Sequence, residues 1–155
     1  MWASTLRAVT TDVLADFEAR GLIHDTTDRD ALAAALDSGI VTYYVGFDPT
    51  ADCLHLGNYV GILAMRRFQL AGHKPLALVG GSTGMVGDPG GRSEERNLLD
   101  VATLQRNLAG ISAVLERFLD FDPSEPNHAE MVNNFDWTGE VTVLDFLRDV
   151  GKHVT

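Results

Sequence analysis

Thr50 and His55 stand in one short turn, "GFDPTADCLHLGN" from Gly46 to Asn58, and both carry side chains that can donate a hydrogen bond to an oxyanion. The turn follows the strand-like "IVTYYV" and ends where a long amphipathic run begins. A helix amino terminus draws anions through its free N–H groups and the positive end of its dipole. With Gly57 allowing a ligand close to the backbone, this arrangement suggests polyphosphate binding. No single residue carries that reading, because Asp48-Pro49-Thr50 is ordinary turn chemistry and an isolated His55 is an ordinary surface residue.

A second unusual segment, "GGSTGMVGDPGG" from Gly80 to Gly91, is rich enough in glycine to imply an irregular loop packed closely against something. Two familiar nucleotide fingerprints fail there. The loop has no Gly-x-Gly pair for a dinucleotide site, and a P-loop would need Lys where Arg92 stands and Gly where Val86 stands.

The elements around these segments follow from periodicity. Leu6, Val9, Val13, Leu14 and Phe17 recur at helical spacing after Ser4, and a second short helix fits Asp28 to Leu36. Residues 1–39 thus read as an amino-terminal helical segment. Ile40 to Phe47 reads as a strand, Leu56 to Leu70 as a helix, and "KPLALVGG" as an apolar strand of the kind found where both faces of a parallel sheet are covered. Asp100 then caps a helix with a stripe of Val101, Leu104, Leu108, Ile111, Leu115 and Phe118, "HAEMVNNF" supplies a third strand, and Thr142 with Asp145 opens a last helix to Val150. Strand and helix alternate. The predicted fold class is α/β: a Rossmann-type parallel sheet with flanking helices and ligands at the carboxyl ends of its strands. Both unusual segments fall on that edge.

The bulk properties limit the partners. A chain of 155 residues with 45% hydrophobic residues is long enough for one globular core. Its apolar runs are too short to span a bilayer, and the early acidic residues do not suit a targeting peptide, so a cytoplasmic protein without membrane contact is expected. One cysteine and scattered histidines predict no disulfide and no structural metal. The formal charge of −10 argues against this surface itself wrapping nucleic acid.

"LHLGN" resembles the His-Ile-Gly-His signature of class I aminoacyl-tRNA synthetases. The longer pattern "YYVGFDPTADCLHLGN" with "MRRFQLAGHKPLALVGGSTGMVGDPGGRSEER", continuing through "RFLDF", "VNNFDW" and "FLRDVGKH", resembles the bacterial tyrosyl-tRNA synthetases in particular. The likeness runs from Tyr43 to His153, with a weaker echo in "ARGLIHDTTD".

The resemblance implies ATP-dependent activation of L-tyrosine to tyrosyl-adenylate, followed by transfer to tRNA(Tyr). It implies that Tyr44 contacts the phenolic hydroxyl and Asp88 the α-ammonium of tyrosine, with Thr83 and Asn134 lining or supporting the pocket. Gly46 and Asp48 would border ATP, Thr50 and His55 would bind its departing phosphates, and Gly57 and Asn58 would lie against ribose and adenine. Arg92 and Arg96 would add positive charge near the phosphates. Magnesium would travel on ATP rather than sit in a protein cage.

Asn58 replaces the second histidine of the signature, a change that also suits a tryptophanyl-type synthetase. A small nucleotidyltransferase would suit the length, and a non-catalytic binding module derived from a synthetase would suit the signature. Family members continue beyond this length with the rest of the Rossmann core, a mobile lysine loop and a tRNA-binding domain, and they form homodimers. The resemblance therefore implies that residues 40–155 are part of a catalytic domain, that most tRNA contacts come from elsewhere, and that this chain alone is inactive. The last helix should then expose an apolar face that the remaining chain or a second subunit covers.

Overall fold

The computed structural model describes residues 12–86 and 100–154. Two helices come first, α1 (Val13–Ala19) and α2 (Arg29–Ser38). Asp12 and Asp28 cap them, each carboxylate accepting at 2.9 Å from the backbone N–H three residues on, Ala15 and Ala31 respectively. Burial of Val13, Leu14 and Phe17 turns α1 inward. Leu6 and Val9 of the predicted stripe lie outside the described residues.

Three parallel strands, β1 (Thr42–Phe47), β2 (Lys74–Val79) and β3 (Glu130–Asn133), form a sheet in the order β1-β2-β3. Helix α3 (Leu56–Leu70) links β1 to β2, while α4 (Gly81–Val86) and α5 (Val101–Leu115) stand between β2 and β3. Helices α6 (Phe135–Thr138) and α7 (Val143–Asp149) follow, then a 3-10 turn at Gly151–His153. The α/β alternation read from the sequence is thus present.

One face of the sheet makes the core. Phe47, Ala77 and Val79 meet Ile62 and Met65 of α3 and Leu104, Leu108, Ile111 and Leu115 of α5. Removing each of the larger of these side chains from water contributes about 1.5–3 kcal/mol, which favours the register that brings the strand ends level. Helix α1 docks on α3 through a Phe17–Phe68 edge-to-face pair at 5.0 Å and an Arg67–Asp16 ion pair at 2.5 Å. Buried Gln69 ties α3 to the chain before β3: its Nε2 donates to the Asp120 carbonyl at 2.7 Å, and Asp120 N–H returns a bond at 3.0 Å.

Several local expectations shift. The first half of the glycine-rich segment is not a loop but α4, and the rest lies outside the described residues. Val101 is 63% exposed because it sits in the first turn after the Asp100 cap, facing away, and Asn107 joins the buried side instead. Ile40 is exposed and precedes β1. In β2 only Pro75, Ala77 and Val79 are buried. Lys74, Leu76 and Leu78 are half-buried, because among the described residues the helices cover chiefly one face. Helix α7 does show the expected apolar surface, with Val143, Leu144, Phe146 and Leu147 exposed beside an open groove of about 510 Å³.

Candidate functional site

The sheet register lines up Phe47, Val79 and Asn133 at the carboxyl edge. Backbone bonds carry the alignment one step further: Gly80 N–H donates to the Phe47 carbonyl at 3.1 Å, and Asn134 N–H to the Val79 carbonyl at 3.2 Å. The turn after β1, the start of α4 and the start of α6 therefore open side by side.

His55 is the N-cap of α3. Its Nδ1 accepts from Asn58 N–H at 3.3 Å, and its own N–H donates to Asn58 Oδ1 at 3.2 Å, a reciprocal capping box. An imidazole that accepts at Nδ1 carries its proton at Nε2, so the outer nitrogen is a donor. The ring folds back over Gly57, where a Cβ would stand 2.9 Å from its Cε1, so a side chain there would push the imidazole aside. Asp48 and Thr50 are exposed on the same turn, held from below by fully buried Pro49.

Across the edge, two asparagines hold the start of α4. Asn133 Oδ1 accepts from Gly81 N–H at 3.1 Å and from Phe135 N–H at 3.1 Å, and Asn134 Oδ1 accepts from Ser82 N–H at 2.7 Å. The Thr83 hydroxyl donates to the Gly80 carbonyl at 3.1 Å, and Ser82 and Thr138 hydroxyls bond to each other. The Asp48 carboxylate and the Thr83 hydroxyl both lie against Gly80. Thus Asp48, Thr83 and Asn134 are brought together, and Asn134 acts as a brace. Sequence reasoning missed Asn133, Ser82 and Thr138; the Asn133-Asn134 doublet at a strand end was the available signal.

Tyr43 and Tyr44 divide the work of the strand. Tyr43 packs on the core, donates its hydroxyl to the Met65 carbonyl at 2.5 Å, and burial pushes its phenol well above the usual value. Tyr44, on the opposite face, is 67% exposed. Gly46 is the next residue on that face, with nothing within 4 Å of where a side chain would stand, so the way from Tyr44 towards the turn is open. Asp88, Arg92 and Arg96 lie outside the described residues. Among the described residues no group of three or more His, Cys, Asp or Glu side chains is placed to hold a metal ion, and no helix is long and apolar enough to cross a membrane.

A histidine-capped helix at the carboxyl edge of a parallel sheet, preceded by a Thr-bearing turn, suits an anionic group such as a phosphate. Residues 37–155 match the family described as tRNA synthetases class I (W and Y). The chain belongs to this family. Among its relatives, the tyrosine–tRNA ligase of Streptococcus mutans is 53% identical over 143 residues, covering 92% of this chain and 34% of the relative. The tyrosine–tRNA ligase of Opitutus terrae is 58% identical over 141 residues, covering 91% and 33%. A C-terminally truncated mitochondrial tyrosyl-tRNA synthetase from Coccidioides posadasii has a similar structure, with a TM-score of 0.74 at 28% identity, covering 94% of this chain and 41% of that one. The chain spans about a third of the length of the relatives it matches in sequence.

Proposed function

We propose that this chain supplies the first part of the catalytic domain of a tyrosine–tRNA ligase, which activates L-tyrosine with ATP and transfers it to tRNA(Tyr). The observation that carries the reading is the capping box, which occupies His55 Nδ1 as an acceptor and so leaves Nε2–H of this exposed side chain free to donate, in the same turn that carries exposed Thr50. Attack of the tyrosine carboxylate on the α-phosphate forms the C(=O)O–P bond and releases pyrophosphate without a covalent enzyme intermediate. The protein's part is alignment and stabilisation of charge on the departing phosphates. Thr50 and His55 do the second, with magnesium arriving on ATP. Gly46, Asp48, Gly57 and Asn58 border the nucleotide, and Tyr44, Thr83, Asp88 and Asn134 form or brace the tyrosine pocket. Arg92 and Arg96 add positive charge near the phosphates.

Exposure of Tyr44 on the open sheet face supports tyrosine as the substrate, as do the tyrosine-specific names of the relatives in sequence. On this reading residues 40–155 belong to the catalytic domain and residues 1–39 to a helical segment before it. The full-length protein is a cytoplasmic homodimer, and the apolar surface around α7 is covered by the second subunit or by the rest of the chain. Most tRNA contacts come from outside this acidic segment.

The test is tyrosine-dependent ATP–pyrophosphate exchange and tRNA(Tyr) charging by a full-length ligase whose residues 1–155 are those of this chain. Exchange driven by tyrosine and not by tryptophan supports the proposal; exchange driven by tryptophan alone would make it the tryptophanyl type. The isolated 155-residue chain should bind ATP and tyrosine weakly and show no turnover.

A further inference from the structure

Asn107 is a polar side chain that the fold buries, 4% exposed in the middle of α5. Its Nδ2 donates at 2.9 Å to the carbonyl of Pro49, inside the turn that carries Thr50, 58 residues away in sequence. A buried amide is costly unless its hydrogen bonds are made, so this position is specified by its partner rather than by helix propensity or packing. Three residues further along the same helix, α5 meets the turn again. A Cβ at Gly110 would overlap the Asp52 carbonyl and stand 3.2 Å from Asp52 Cα, so only glycine admits the turn's backbone there. Residues three apart lie on one side of a helix, and buried Leu104, three before Asn107, roots that row in the core. The turn has no regular secondary structure of its own between Asp48 and His55.

We propose that α5 is the positioning element of the phosphate-binding turn: Asn107 anchors it through the Pro49 carbonyl, and Gly110 sets how closely Asp52 can seat. Thr50 lies between the two contacts, and His55 three residues beyond the second. Neither Asn107 nor Gly110 reaches substrate. Their effect is to hold the two donors where the departing phosphates need them, and it rests on the synthetase reading given above. A misplacement of about 1 Å in such a site is enough to cost about 10²-fold in rate.

The experiment uses a full-length ligase whose residues 1–155 are those of this chain, with Asn107→Leu, Asn107→Asp and Gly110→Ala. Hydrogen exchange is followed in peptides covering residues 48–55 and, for comparison, residues 74–79 of β2. Tyrosine-dependent pyrophosphate exchange and tyrosine binding are measured on the same proteins. Asn107→Leu keeps the volume and removes the donor, so exchange in 48–55 should rise about tenfold while 74–79 stays unchanged, the loss of one buried hydrogen bond being of that order. The kcat of adenylate formation should fall about 10- to 100-fold with tyrosine affinity unchanged. Asn107→Asp should recover protection and rate as pH falls, because a protonated carboxyl can donate to the Pro49 carbonyl; Asn107→Leu should not. Gly110→Ala should resemble Asn107→Leu, and if it fails to fold, the Asn107 pair carries the test.

Unchanged exchange in 48–55, or an equal rise in both segments, overturns the proposal, as does a parallel fall in rate and tyrosine affinity. If the unsubstituted protein shows no tyrosine-dependent exchange, the synthetase reading fails, while the amide-exchange comparison still decides whether α5 positions the turn.

Discussion

His55 and Asn58 cap the same helix end from opposite directions, the imidazole Nδ1 accepting the Asn58 N–H and the Asn58 side-chain oxygen accepting the His55 N–H. Asn58 therefore does local work at the place where the family signature ends in histidine: it fixes the backbone from which the His55 ring projects.

Asn58→Ala removes half of the box and should lower stability by about 0.5–1 kcal/mol, read as a lower denaturation midpoint. Asn58→Asp keeps the acceptor and suits the helix dipole, so its stability should match or exceed the parent. On the proposed reading that residue 58 borders the bound nucleotide, the added negative charge should raise the KM for ATP while that for tyrosine stays put. A matching rise in both would remove Asn58 from the nucleotide side of the site.

His55→Asn separates the two roles of His55. Asparagine is among the best N-caps, so thermal stability should hold, but it cannot reach outward as the imidazole does. Pyrophosphate exchange in the full-length ligase should drop by about 10²- to 10³-fold with tyrosine affinity little changed. Retention of full rate would show that the cap, not a phosphate donor, is what His55 provides.

Tyr44→Phe takes a hydroxyl from an exposed face and should leave folding untouched. It should lower the preference for tyrosine over phenylalanine about tenfold, measured as the ratio of kcat/KM values in adenylate formation. An unchanged ratio would return Tyr44 to a surface role.

His73 makes stability pH-dependent. It is 6% exposed, its Nδ1 accepts from Val41 N–H at 3.3 Å, and burial holds its pKa below the ordinary 6.5. Because the folded value is depressed, the unfolded chain takes up the proton first. The stability tied to neutral His73 is therefore fully present above about pH 6.5 and is lost as pH falls through the folded pKa. Urea midpoints should fall from pH 7.5 to pH 5, and His73→Gln should flatten that slope.

Much of the fold was legible because it is written in local pattern. The 3.6-residue periodicity of α3, the Asp100 and Thr142 caps, and the short apolar run of β2 depend on neighbours within a turn or a strand. The candidate turn was legible as a junction: Asp48, Thr50 and His55 sit where β1 gives way to α3, and sequence places such a junction well. Asp88, Arg92 and Arg96 fall outside the described residues.

What the sequence determined by itself was the order of elements, their polarity, and the family to which the turn belongs. Tertiary structure decided the rest. It divided Tyr43 and Tyr44 between core and open face, made a helix of Gly81–Val86 with its first N–H groups bound by Asn133 and Asn134, and set Asn107 and Gly110 against the turn. Each of these outcomes depends on a partner well away in the chain, 22 residues for Tyr43 and more than 50 for the asparagines, and such a partner leaves no trace in local periodicity. Only when burial of the shared core brings the strands into register do those groups come within hydrogen-bond distance.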